Sequence, residues 1–365
     1  MKICHVINTL NRGGAETHLF DLIKEQQIRN YTVDLVVIGP DNKSVVSLEA
    51  EFGVLGVPIK RLNGPRMFNL SAYVTLYTHI KKNKYEVIHS HQPRSDFMLY
   101  FMKKYLTTFR WIVSVHGKYD TYLESTNISN SIKKRFMISL AKFWEQADEI
   151  IAISTSVREW VSNLNKNLSP VVIPYWIDQN NLNSSFSSKE EISLGFLGRL
   201  NKNKGIEELL ESFNKLDTEN IILNIGGYAD RAYLEYLTQI SEVDKRIKIN
   251  YLGYVTDRKL FFNSIDIFVF PSFSEGLGLV LLEAMSFSKI CITRDVLPMN
   301  SYLKEDSGYL FTDNEGLLRV LNEAIHDFRH DEGVIKTKLF NIEQMVKKSS
   351  VNNIFPVLDK VYNNE

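Results

Sequence analysis

Cysteine is nearly absent from this chain, with only Cys4 and Cys291 among 365 residues. A lone pair cannot make a disulfide framework or a zinc site, and both lie in apolar runs that read as buried strands, so reduced thiols in a cytoplasm are expected. Long hydrophobic runs are missing as well. No stretch reaches the roughly 18 consecutive apolar residues of a membrane helix, and MKICHVINTLNRGG meets a glycine loop too early to carry a secretory apolar segment. The expectation is a chain that begins at Met1 and stays inside the cell. Proline (9) and glycine (18) are sparse beside 44% hydrophobic and 24% charged residues, which excludes collagen-like and low-complexity architectures. Net charge is zero, which argues against a general nucleic-acid binder, but the halves differ: residues 1–177 hold 22 Lys+Arg and 15 Asp+Glu, residues 178–365 hold 21 and 28. A basic first half suits an anionic partner.

Several catalytic signatures are also missing. There is no G-x-x-x-x-G-K-[ST], and the first glycine loop reads N-R-G-G-A-E in place of G-x-G-x-x-G, against a P-loop NTPase and an ordinary dinucleotide dehydrogenase. No two Asp residues lie two apart, so the D-x-D pattern of metal-dependent nucleotide-sugar enzymes is missing, and neither G-x-S-x-G nor a catalytic-cysteine setting is present.

What is present is repetition of strand and helix. KICHVINTL, VDLVVIGP, YEVIHSH, RWIVSVHG and ADEIIAIS are near-continuous apolar strands separated by amphipathic segments such as AETHLFDLIKEQQI and RSDFMLYFMKKYL. A polar Asn/Ser cluster, DQNNLNSSFSSKEE, reads as a linker. A second series follows it, with ISLGFLG, IILNIGG, IKINYLG, IDIFVFPS and KICITRD as strands. The fold class is α/β: two Rossmann-like, doubly wound parallel-sheet domains, 1–177 and 178–349, with a terminal helix in 350–365 that can pack back on the first. Ligands in such folds bind outside the carboxyl ends of strands, which makes the cleft between domains the expected site.

The loops that follow strands carry the chemistry. Gly198-Arg199-Leu200-Asn201-Lys202-Asn203-Lys204-Gly205 offers three cations before a helix whose first amides lack partners, a setting for phosphate. Its bland alternative is a solvated basic turn. Pro271-Ser272-Phe273-Ser274-Glu275-Gly276-Leu277-Gly278-Leu279 runs from a buried strand through two glycines into a helix whose N-terminus suits a diphosphate. Glu275 before that helix and Glu283 on it lie roughly 7 Å or more apart along the axis, near the span from a sugar hydroxyl past a diphosphate to a ribose. Glu283 sits among Val280, Leu281, Leu282, Ala284 and Met285, where an unpaired carboxylate is costly. In the first half the candidates are Gly13, Gly14 and His116, although a single histidine is more often structural. His89-x-His91 and His326-x-x-x-His330 offer too few ligands for a metal.

The order of these pieces resembles the retaining, GT-B-fold glycosyltransferases of family 4 (glycosyltransferase group 1). The resemblance runs from Gly13–Glu16 through Ser114–Gly117 and Gly198-Arg199 with Lys204-Gly205 to the Glu275/Glu283 pair. It implies a metal-independent hexosyltransferase without a cofactor, using a nucleotide-diphosphate sugar as donor and a surface-polysaccharide or lipid-linked glycan as acceptor. Gly13 and Gly14 would let backbone approach the diphosphate, Arg199 and Lys204 would bind it, and the Gly276, Leu277, Gly278 and Leu279 amides would add donors. Glu275 would hold the sugar hydroxyls, Glu283 the ribose, and His116 would contact the sugar near its reacting carbon. After the glutamate pair, Phe287-Ser288 and the loop Arg294–Asn300 depart from the family's glycines and acid. A nucleotide-sugar epimerase of the same fold and a catalytically silent binding subunit are the rival readings. Cations interleave with aromatics at Lys103 and Lys104 and at Lys133, Lys134 and Arg135, which suggests docking on an anionic membrane surface, a peripheral site on the inner face of the cell membrane, if these aromatics do not simply pack on the sheet.

Overall fold

The computed structural model describes residues 1–365 except 43–45, 63, 65–68, 120–129, 180, 183–185 and 242–247, and except the side chains of residues 130 and 133. Its contacts divide the chain into two units, Met1–Tyr175 with Pro356–Glu365, and Trp176–Phe355. The sequence reading divides the chain at 177/178 and sets 350–365 apart; the contacts divide it at 175/176 and give only the last ten residues to the first unit.

The first unit is built on seven parallel strands: β1 (Lys2–Ile7), β2 (Thr32–Val37), β3 (Ile59–Arg61), β4 (Val87–His91), β5 (Arg110–Val115), β6 (Glu149–Ala152) and β7 (Val171–Val172), in the order β3-β2-β1-β4-β5-β6-β7. The second has six: β8 (Ile192–Leu197), β9 (Ile221–Gly226), β10 (Lys248–Gly253), β11 (Ile267–Phe270), β12 (Ile290–Arg294) and β13 (Tyr309–Phe311), in the order β10-β9-β8-β11-β12-β13, again all parallel. Parallel strands are joined by helices that cover both faces, so β4 and β11 are buried at every position; β11 reads as an unbroken apolar run, while β4 carries His89, Ser90 and His91. Both cysteines are buried and free.

In each sheet the strand order reverses once, between β1 and β4 and between β8 and β11. Chain leaving those strands in opposite directions opens a crevice at their carboxyl ends, the standard ligand position of doubly wound sheets. The Gly13-Gly14 loop follows β1. The Arg199–Gly205 loop follows β8, and the Pro271–Gly278 loop follows β11. Hence the topology brings the last two together.

The elements missing from the sequence reading include β3, β13 and the helices Thr155–Leu164, Met299–Tyr302 and Glu332–Lys348. Three-residue strands are too short to show periodicity. The helix Glu332–Lys348 is separated from Asn314–His330 by Asp331 alone, which caps it by accepting from the Val334 amide, so the two merge into one charged stretch.

Candidate active site

The two loops of the second unit are stapled to each other. Gly205 adopts φ +66°, and a Cβ there would lie 2.4 Å from the Pro271 carbonyl oxygen, so only glycine lets the strand-ending loops meet. The Phe273 amide donates to the Asn203 carbonyl at 3.0 Å, and Asn203 Nδ2 donates to the Ser274 carbonyl at 3.3 Å. This positions Lys204 against Glu275 as an ion pair, and Ser272 Oγ donates to the same carboxylate oxygen at 2.7 Å. The sequence reading gives Lys204 and Glu275 separate duties; the structure makes them one group, with both bonds on Oε1. Arg199 is exposed and bonds no other described residue.

Gly276, Leu277 and Gly278 lead into the helix Leu279–Ser286. Gly278 is left-handed at φ +77°, and no side chain caps the helix, which leaves its first amides to a ligand or solvent. Glu283 on this helix is half-buried and pairs through both oxygens with Arg258. Burial pushes its carboxyl pKa up while the guanidinium draws it back. Arg258 opens the helix Arg258–Asn263, capped by Asp257, whose Oδ1 accepts from the Leu260 amide at 2.9 Å. Sequence reasoning finds that Glu283 needs a partner but does not find Arg258. The signal available was an Asp-Arg step after a strand.

The departing loop that starts at Arg294 turns out to buttress the site. Arg294 is buried at 5% exposure; it donates to the Pro271 carbonyl at 3.3 Å and the Thr312 carbonyl at 2.8 Å, pairs with Glu208, and lies over the Phe273 ring at 4.1 Å. A planar, five-donor cation suits a place where several carbonyls converge.

In the first unit, Gly13 precedes the helix Gly14–Ile28, and a Cβ on Gly13 would stand 2.6 Å from Glu16 Oε2. Glu16 is buried, with its pKa raised chiefly by burial, and accepts from Gln92 Nε2 at 2.7 Å. Gln92, at the end of β4, holds φ +91°, a strained value for a residue with a side chain, and its Oε1 accepts from the Asn8 amide at 3.3 Å. His116 follows β5. Both its ring nitrogens are bonded to protein groups, Nε2 with His91 Nδ1 at 2.9 Å and Nδ1 with the Tyr175 hydroxyl. Burial lowers its pKa to about 3, so the ring is neutral.

The expectation that His89-x-His91 lacks a third ligand is corrected: His5 pairs in register with His89 across β1 and β4, and one nitrogen from each of the three rings lies within 4.8 Å of the others. The His326 and His330 rings are neighbours, 5.1 Å apart, and His326 Nδ1 lies 3.5 Å from Asp327 Oδ1.

Among the basic residues, Lys103 is largely structural. It pairs with Asp148 at 2.6 Å and donates to the Phe109 carbonyl at 2.8 Å. Lys104 is exposed beside the Tyr100 ring. Lys134 and Arg135 are exposed on the helix Asn130–Trp144 together with Ile132 and Ile138, whereas Trp111 and Trp144 are fully buried in the core. The side chain of Lys133 lies outside the described residues. Among the described residues no helix is long and apolar enough to cross a membrane.

Two doubly wound parallel sheets, with ion-paired loops at the carboxyl ends of the second, define a GT-B enzyme. Over its whole length the chain matches the structure of Anabaena Alr3699/HepE in complex with UDP and glucose, with a TM-score of 0.80 at 16% identity and all of both chains covered. The family model "Glycosyltransferase Family 4" matches residues 12–181 and "Glycosyl transferases group 1" matches 178–338. The chain belongs to this glycosyltransferase family. It is similar to the Staphylococcus aureus capsular polysaccharide biosynthesis glycosyltransferase CapM, 24% identical with 92% of this chain and 91% of that one covered. It is also similar to a Campylobacter jejuni GalNAc-alpha-(1->4)-GalNAc-alpha-(1->3)-diNAcBac-PP-undecaprenol alpha-1,4-N-acetyl-D-galactosaminyltransferase, 25% identical with 97% and 96% covered.

Proposed function

We propose that this glycosyltransferase moves a hexose from a nucleotide-diphosphate sugar, with retention of configuration and without a metal, onto a bacterial surface polysaccharide or a lipid-linked glycan. The observation that carries the reading is the cluster at the ends of β8 and β11: the Lys204–Glu275 pair, exposed Arg199, and the uncapped helix at Gly278. As the donor bond breaks, negative charge gathers on the departing diphosphate. Arg199, Lys204 and the helix amides stabilise it from fixed positions, the role a metal takes in D-x-D enzymes. Glu275 holds hydroxyls of the transferred sugar, Glu283 with Arg258 orients the ribose end, and Gly13, Gly14 and His116 complete the donor contacts. The capsular polysaccharide and undecaprenol-linked glycan relatives support an acceptor of capsular or undecaprenol-linked type, and the structural relative's complex with UDP supports the donor.

The test is incubation of purified protein with a panel of nucleotide sugars, with and without acceptor and with a chelator present, while free nucleoside diphosphate is measured. Release from one donor and transfer of an unchanged anomer, read by proton NMR, is the expected result. An altered sugar still on its nucleotide would make the protein an epimerase. No turnover with any donor would leave a silent binding subunit.

A further inference from the structure

One buried polar cluster of the first unit lies on the sheet itself and not in a loop. His5 on β1, His89 and His91 on β4, and Ser114 with His116 at the end of β5 share one face of the sheet, because His5 pairs with His89 and His91 pairs with Ser114, and alternate strand residues face the same way. Burying so much imidazole is tolerable only if every nitrogen finds a partner. Each does. Gln26 Oε1 meets His5 Nε2 at 2.9 Å, His5 Nδ1 meets His91 Nε2 at 2.9 Å, His91 Nδ1 meets His116 Nε2 at 2.9 Å, and His116 Nδ1 meets the Tyr175 hydroxyl. On the other side Gln26 Nε2 donates to Tyr362 Oη at 3.1 Å, which meets His89 Nδ1 at 2.8 Å, while His89 Nε2 meets Ser114 Oγ at 2.8 Å. A cation among His5, His89 and His91 would have to break bonds that are already complete.

Burial lowers the pKa of His5 to about 4 and that of His116 to about 3, and those of His89 and His91 also fall, so the rings are neutral and each carries one proton. The amide oxygen of Gln26 can only accept. His5 must therefore carry its proton on Nε2, which leaves Nδ1 to accept from His91 Nε2–H; His91 Nδ1 then accepts from His116 Nε2–H, and His116 Nδ1 accepts from Tyr175. We infer that Gln26, through His5 and His91, fixes which nitrogen of His116 carries the proton, so that these three are positioning residues for His116. The Tyr175 ring stacks on His18 at 3.7 Å, which aims its hydroxyl at the end of the chain. The functional half of this inference rests on the reading of His116 as a donor-sugar contact, in which a sugar hydroxyl takes the place of the Tyr175 hydroxyl at the accepting Nδ1.

Long-range proton–nitrogen correlation spectra of the full chain report the tautomer of each ring and do not depend on activity. The expected result is Nε2–H at His5, His91 and His116 alike; Nδ1–H at any of the three overturns the inference, as does loss of these signals on adding zinc to the metal-free protein. Gln26→Met removes the acceptor at the far end and should turn all three rings to Nδ1–H, a change three residues away that packing alone would not produce. Tyr175→Phe keeps the ring stack and should leave Nε2–H in place; a flip here would put the anchor at Tyr175 and overturn the role of Gln26. In turnover, Gln26→Met should cost several-fold in kcat with little change in donor KM, and nothing further in a His116→Ala background. Equal losses in both backgrounds would refute positioning, whereas a wild type that releases no nucleoside diphosphate would refute the proposed function and leave the tautomer result standing.

Discussion

Along β1 and β4 and just past β5, buried neutral imidazoles are bonded to one another inside the sheet; at the carboxyl ends of β8, β11 and β12 the polar groups form charged pairs. The strand order is the same in both units apart from β7, which the first sheet adds at its edge. One topology thus supports two kinds of polar chemistry. Neutral rings can be buried when each nitrogen is satisfied, while charges stay near water and pair, since desolvating an ion costs several kcal/mol.

The largest test of that contrast is acid. His5, His18, His89, His91 and His116 all have lowered pKa values in the folded first unit, with burial the leading cause. The unfolded chain takes up protons near pH 6.5 that the folded unit refuses, so this stability is fully present above that value and is lost as pH falls toward about 4. For His5 alone, lowering from 6.5 to about 4 is worth about 3 kcal/mol at 1.36 kcal/mol per pH unit. Asp96 acts in the opposite sense: burial raises it to about 7, so its contribution is present in acid and lost as pH rises through about 7. Hydrogen exchange at neutral pH and near pH about 5, corrected for intrinsic rates, should show β1, β4 and β5 opening more readily in acid while β8 and β11 change less. Equal loosening of both sheets would break the comparison.

The next effect is on turnover. Lys204→Ala and Arg199→Ala should each raise the barrier by about 2–4 kcal/mol if they stabilise the departing diphosphate. They should part in stability. Removing Lys204 leaves Glu275 half-buried beside Ser272 without its cation, so Lys204→Ala lowers Tm, whereas exposed Arg199 holds no described partner and its loss leaves Tm unchanged. Normal turnover in both variants would sink the site assignment.

A smaller effect separates the two glutamates. Glu275→Gln should slow transfer and leave nucleoside-diphosphate binding nearly unchanged, while Glu283→Ala should weaken that binding and free Arg258. Calorimetry with the free diphosphate decides, and the reverse pattern would exchange the two roles.

What was legible in the sequence follows from the same contrast. Unbroken apolar runs such as IDIFVF announce buried parallel strands because both faces are covered, and glycines beside cations announce loops because nothing else tolerates those positions. Partners contributed by distant elements leave no local mark. Arg258 reaches Glu283 from another strand's exit, Arg294 reaches back to Pro271, and His5 joins His89 only through the register of β1 on β4. The polar pattern H-x-H in an otherwise apolar strand was visible, and its meaning needed the neighbouring strand.

The smallest expected effect concerns the surface of the first unit, and it bears on whether its excess of positive charge serves a lipid-linked acceptor. Lys103 contributes little, being tied to Asp148, and the tryptophans are in the core. What remains is exposed Lys104 and, on the helix Asn130–Trp144, Lys134 and Arg135 with Ile132 and Ile138, which are 59% and 37% exposed. Exposed apolar side chains on a helix that also carries cations fit the boundary of an anionic bilayer, at about 1 kcal/mol for each near-surface charge. Co-flotation with anionic vesicles at low salt, none with neutral ones, and a loss of about tenfold or more in partitioning on changing Lys133, Lys134 and Arg135 to Glu are the expected outcomes. Because this helix belongs to neither set of strand ends, the same variant should keep its turnover on a water-soluble acceptor; a wild type that never floats would leave the charge of the first unit without a membrane role and favour such an acceptor.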